Sequence, residues 1–231
     1  MRRRVLNRRP ANLLPSNPGS DASLLKYIRD YQTSIGLKSP RWENLPAYHW
    51  LLERILFEES ELPLVEKQPS ECIKRAVAGK VFLEVGCRSG LFLRFLLDHG
   101  AQVVGCTTGK RGVRKYYNNA RRILGNDAQL EESFAADADQ KLAGVNPHYL
   151  LSLNLFDNNR WEWTRCPRKK IIRALARIAG PRTIVLIHPT TDSGKSKLDE
   201  THLRKMGLRP RVRNRWFPLR KTYAFKVQRV L

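Results

Sequence analysis

The sequence predicts an α/β protein with a mostly parallel sheet, helices on both faces, and a helical extension before it. Three observations lead there. From Lys80 onward, short apolar runs alternate with amphipathic stretches, the pattern of strand–helix–strand units. Residues 21–78 show helical spacing of apolar side chains and no strand-like run. The chain has 231 residues, 42% hydrophobic and 28% charged, enough apolar surface for one α/β domain with a real core and too much for wholesale disorder. No apolar run approaches the roughly 18–20 residues needed to span a bilayer, so no transmembrane helix is expected.

The elements follow in order. Residues 1–20 hold five Arg, three Pro and no acid, the composition of a disordered basic arm. They lack the apolar stretch of a secretory signal, and an Arg-rich, acid-free start also fits an organelle transit peptide. In 21–78, Ser23 is placed to cap LLKYIRDYQTSIG, with Gly36 as its stop. Residues 46–59 set Trp50, Leu51, Arg54 and Ile55 at helical spacing, and Ser70 is placed to cap ECIKRAVAG. This extension reads as a cap over one edge of the sheet, with a lid or substrate-docking element as the alternative. The domain proper, 79–231, begins with a buried strand at 81–86, a helix at 91–100 and a strand at 101–106. A helix at 111–124, a strand at 149–156, a helix at 169–180 and a strand at 182–188 continue it, Pro189 ending the last. A short helix at THLRKMG then precedes PRVRNRW and KTYAFKVQRV, read as an antiparallel edge hairpin turning near Pro218.

The chemistry-bearing stretch is VFLEVGCRSGLFLRFLLDHGAQVVGC. A strand ends at Glu84, a turn carries Gly86 and Gly90, and a helix follows. Glycines in such a turn let the backbone approach a ligand, and the helix start offers free N–H groups. With this context the chain resembles the class I, Rossmann-like S-adenosylmethionine (SAM) methyltransferases over about two-thirds of its length. Glu84, Gly86 and Gly90 stand where their first motif places an acid and its outer glycines, with Arg88 at the middle glycine. YLLSLNLFDN is similar to the family's fourth strand, and Asn154 lies near the end where the methyl group is presented. AADAD resembles the segment whose acid meets the adenine amino group, and Asp137 is the matching residue. Thr107 and Thr108 stand at the end of the second strand, where an acid usually grips the ribose. The resemblance implies a seven-stranded, mostly parallel sheet with an antiparallel terminal strand, and SAM as cofactor held by Glu84, Gly86, Arg88, Gly90, Thr107, Asp137 and Asn154. No catalytic residue is assigned beyond the candidate Asn154, because the acceptor atom is unassigned. NPHY (146–149) precedes its strand and reads as a loop.

Charge indicates the partner. Lys plus Arg is 43 against 21 Asp plus Glu, a net +22, which points to a polyanion, nucleic acid before an anionic membrane surface. The excess lies in 1–20, 108–124, 160–182 and the acid-free tail 201–231. Arg209, Arg211, Arg213 and Arg215 alternate, so a regular strand would put them on one face, followed by Trp216. Arg211, Arg213, Arg215 and Trp216 are therefore the candidate nucleic-acid contacts; the alternative is an edge strand protected by charge against aggregation, with Trp216 in the core. Trp161 and Trp163 lie in the segment where this fold places its substrate loop, with filling a gap under the following helix as the alternative, and His188 ends a strand on the functional rim but reads as core or rim filler. Cys72, Cys87, Cys106 and Cys166 form no C-x-x-C pair and sit near no histidine at ligand spacing, so neither zinc nor a disulfide framework is expected. The expected compartment is intracellular, cytoplasmic or nuclear, with an organelle as the alternative. The implied function is SAM-dependent methylation of RNA or an RNA–protein assembly. A protein methyltransferase is one alternative. A catalytically inactive RNA-binding or assembly factor, favoured by Arg88 and Thr107, is the other.

Overall fold

The computed structural model describes residues 26–28, 30–31, 33–35, 52, 69–108, 114–153, 168–188, 208–217 and 220–227, with backbone only at 114–115, 153, 168–169, 188 and beyond 207. The expectations for the arm, Ser23, Gly36, most of 46–59, Asn154, the two tryptophans at 161 and 163, Cys166, Pro189, the 201–207 helix and Pro218 lie outside the described residues.

Helix α1 (Pro69–Val77) opens on a proline, whose missing N–H is no loss in a first turn and whose fixed φ suits it. Ser70, expected as the cap, is thus inside the helix. Strand β1 (Val81–Val85) leads through the turn 86–90 into α2 (Leu91–Asp98), followed by β2 (Gln102–Thr107), α3 (Arg114–Leu124) and β3 (Gln129–Glu132). A 3₁₀ turn (Ala135–Asp137) runs into the short α4 (Ala138–Lys141); β4 (Tyr149–Leu153), α5 (Arg168–Ile178), β5 (Ile184–His188), β6 (Leu208–Phe217) and β7 (Arg220–Val227) complete the order. Strand β3 is invisible as an apolar run: of its four residues only Leu130 is buried.

The sheet is ordered β3-β2-β1-β4-β5-β7-β6. Strands β1 to β5 pair in parallel, while β7 runs antiparallel to both β5 and β6. The chain steps outward from β1 to β3 and then returns to β1's other side as β4, a switch point where a crevice opens beyond the strand ends.

Alternation along the strands builds two cores. Phe82, Val103, Leu130 and Leu151 meet Phe92, Leu93, Phe95 and Leu96 of α2 and Ala120 and Leu124 of α3. Leu83, Val85, Val104, Leu150 and Val185 meet Ile171, Ile172 and Leu175 of α5 on the other face. Ile73 and Val77 of α1 join the first core, as do Ile28 and Leu52 from the extension. Tyr27 and Tyr31 of the extension, both helical, are tied to α2 by polar contacts: the Tyr27 hydroxyl meets His99 Nε2 at 2.9 Å, and Tyr31 donates to Asp98, which also pairs with Arg94 at 2.6 Å. The other His99 nitrogen, Nδ1, lies 2.6 Å from the Phe95 carbonyl. A carbonyl can only accept, so Nδ1 carries the proton and Nε2 accepts from Tyr27. Burial pushes this imidazole below its ordinary pKa, keeping it neutral in that arrangement. Among the described residues no helix is long and apolar enough to cross a membrane.

Candidate functional site

The turn 86–90 crosses the carboxyl end of β1 at the switch point. Gly86, Arg88 and Gly90 have φ of 86°, 51° and 71°, so every second residue is left-handed. Arg88 is the single non-glycine residue with positive φ among the described residues, and it occupies the slot of the motif's middle glycine. The substitution keeps the turn and is accommodated as backbone strain of about 1 kcal/mol. The Cys106 carbonyl accepts from the N–H groups of Gly86 and Cys87 at 2.7 and 3.1 Å, and Gly90 N–H donates back to Cys87 O at 2.8 Å. A Cβ on Gly105 would meet Leu130 Cδ1 at 2.9 Å and Cys87 Sγ at 3.1 Å, so β2 needs its glycine for the turn to seat.

Glu84 lies beneath this turn, in register with Gly105 on β2 and Leu151 on β4. It is 1% exposed, and its Oε2 has no hydrogen-bond partner among the described residues. Burial pushes its carboxyl up to about 8, because a carboxylate loses its hydration there without gaining a cation. The neighbouring Cys87 thiol is raised too, first by burial and then by Glu84 and Cys106. A second buried group is orphaned among the described residues: Ser152 Oγ on β4. The sequence reading missed it, and a serine inside an apolar strand was the available signal.

The carboxyl end of β2 anchors the other predicted residues. Thr107, 5% exposed, accepts a hydrogen bond from Ser133 N–H through its carbonyl at 3.1 Å, which draws the 133–137 segment to the same rim. Asp137 is half-buried there, while the second acid of that segment, Asp139, is taken by Arg177 at 2.9 Å. Thr107 is in register with Glu132, an exposed carboxylate at the end of β3. The sequence reading missed Glu132 with its strand. Glu84, Gly86, Arg88, Gly90, Thr107 and Asp137 thus gather along one rim. Among the described residues no three His, Cys, Asp or Glu side chains are grouped as a metal site.

The expected arginine row falls on β6, whose pairing with β7 is interrupted. Arg209 pairs with Lys226 and Arg213 with Tyr223, with shifts between Pro210 and Val212 and between Asn214 and Phe217. Of Arg211, Arg213, Arg215 and Trp216 only the backbone is described.

No protein-family model matches the chain, and no curated protein sequence does. Solved structures do match. A TehB-like SAM-dependent methyltransferase from Corynebacterium glutamicum superposes with TM-score 0.54 and 12% identity, covering 92% of this chain and 100% of that one. A candidate RNA methyltransferase from Pyrococcus horikoshii gives 0.57 and 12%, over 91% and 98% of the two chains. A variant of MtNAS in complex with S-adenosylmethionine gives 0.53 and 14%, over 91% and 73%. Likeness at such identity speaks to architecture, and it agrees with the parallel sheet and flanking helices described above. The chain has the class I, Rossmann-like fold of the SAM-dependent methyltransferases.

Proposed function

We propose that the chain is a SAM-dependent methyltransferase acting on RNA or an RNA–protein assembly. The observation that carries this reading is the turn 86–90, with its alternating left-handed residues, lying over the buried Glu84, whose Oε2 has no hydrogen-bond partner among the described residues, at the switch point of this fold. The residues fit the cofactor: a buried carboxyl suited to a cation, a turn that bares its backbone, and polar groups on the β2 and β3 ends. Gly86, Arg88 and Gly90 line the amino-acid portion, Asp137 accepts from the adenine amino group, and Glu132 beside Thr107 accepts from the ribose hydroxyls. Asn154 is the candidate residue for the acceptor side. The cofactor brings an already activated methyl group. The protein's work is alignment and exclusion of water, which supply most of the rate in such transfers.

The acceptor class rests on charge. Helix α5 exposes Lys170, Arg173 and Arg177 along one side and has no acid in its first turn; α3 likewise starts without one. Both helices begin at the rim of the site. Cations at helix N-termini are electrostatically unfavourable, and a polyphosphate partner offsets that cost. Thr107, in place of an acid, favours one second reading, an assembly factor that binds RNA without transferring methyl groups.

Calorimetric titration with SAM and its demethylated product, followed by transfer of labelled methyl groups to RNA and to ribosomal protein, tests the proposal. Saturable SAM binding and ribonuclease-sensitive label are the expected results. Label on protein alone moves the acceptor to protein, and no SAM binding at millimolar concentration refutes the enzyme.

A further inference from the structure

We propose that Glu84 is a proton-for-cation exchanger: it holds its proton until the ammonium group of the ligand's amino-acid portion is seated against it, and then releases that proton to solvent. The inference rests on the reading of the pocket as a SAM site and adds a property of one residue within it. The balance is simple. The Glu84 O–H bond breaks, the proton leaves to bulk water, and the carboxylate is left paired with the ligand's ammonium ion.

The geometry requires an exchange of this kind. Glu84 is 1% exposed, flanked in the sheet by Gly105 and Leu151, and its Oε2 finds no partner among the described residues. A lone carboxylate in such surroundings is costly. Among the described residues, the ionisable groups on the elements around it do not supply a counter-charge. On α2, Arg94 is engaged with Asp98 and His99 with Tyr27 and Phe95. On β2, the Cys106 thiol is turned to the Ser133 carbonyl; on β4, Tyr149 is stacked on Phe82. Helix α3 contributes Tyr116, Tyr117, Arg121 and Arg122, and the turn contributes Cys87, itself held protonated, and the half-buried Arg88. None of these shifts the Glu84 carboxyl, which burial alone displaces to about 8.

The test is proton counting. SAM, S-adenosylhomocysteine and methylthioadenosine are titrated calorimetrically into the full chain in two buffers of different ionisation enthalpy, between pH 5.5 and 7, where the ligands' α-ammonium groups stay charged. The first two ligands should release about 0.9 proton at pH 7, and their affinity should rise about tenfold per pH unit. Methylthioadenosine has no ammonium group and should release none. Glu84→Gln should bind SAM more than tenfold more weakly, with no proton release and a flat pH profile. Its thermal unfolding at pH 4 should match the parent, since below the unfolded carboxyl's own pKa of 4.5 both side chains are neutral in the folded and the unfolded chain. SAM binding without proton release, equal release by methylthioadenosine, or a Glu84→Gln variant that keeps the pH slope overturns the exchange and leaves the cofactor reading standing. Absence of SAM binding at every pH overturns both.

Discussion

Glu84 makes the free protein's stability depend on pH in a direction opposite to that of an ordinary salt-bridged carboxylate. Its carboxyl sits near 8 in the folded chain against 4.5 in the unfolded one, so between those values the folded state holds a proton that the unfolded state has lost. Below pH 4.5 the group costs nothing. As pH rises toward 8 it progressively destabilises the fold, by 1.36 kcal/mol per pH unit, or roughly 5 kcal/mol in all. That is a large fraction of the 5–15 kcal/mol typical of a folded domain. Glu84→Gln removes the titration while keeping the shape. Urea unfolding of parent and variant at pH 5 and pH 8 isolates Glu84, because all other titrating groups cancel in the difference. The variant's advantage should grow by roughly 4 kcal/mol over those three units. A difference that does not change with pH, or a variant less stable than the parent at pH 8, refutes the reasoning and means that Glu84 is ionised and paired in the folded state.

Three further outcomes follow from the same structure. Arg88→Gly and Arg88→Ala both delete the side chain but differ in the left-handed slot at φ 51°; the glycine variant should be the more stable by about 1 kcal/mol in urea unfolding, and equality would show that the slot carries no strain. Gly105→Ala drives a methyl group against Leu130 Cδ1, Cys87 Sγ and Leu93 Cδ1 at 2.9, 3.1 and 3.1 Å, which should cost about 1–3 kcal/mol; a neutral result by the same assay would mean that the turn seats without close packing. Reversing Lys170 and Arg173 to Glu should flatten the log–log salt dependence of RNA affinity by about 1.4, at roughly 0.7 per phosphate contact, with SAM affinity unchanged; an unaltered slope would remove α5 from the RNA surface.

Much of the architecture was legible because buried parallel strands are bare apolar runs. VFLEV, YLLSL and IVLIH announce themselves, and glycines punctuate the turns, Gly100 at φ 88° closing α2 where the pattern stopped. Strand β3 was not legible. QLEE buries one side chain, and its backbone is held by pairing with β2, a partner that a local pattern cannot reveal. Glu132 went unseen with it. The register shifts in β6 were not legible for a related reason: alternation in sequence assumes an uninterrupted ladder, and the shifts depend on how β7 meets β6.

The order of residues by itself determined the alternation of strands and helices, the place of the turn at 86–90 and the excess of positive charge, because hydrophobic period, glycine and charge act locally or by simple summation. Tertiary structure alone decided that Arg88 takes up a glycine's conformation, that Thr107 stands beside Glu132, and that burial pushes the Glu84 carboxyl up. Each of these depends on segments distant in the chain: the carbonyl of Cys106 that ties the turn down, the ladder between β2 and β3, and the strands and helix that exclude water from one carboxyl group. A residue's ionisation and strain are set by what surrounds it in space, and that is settled only when the sheet has closed around it.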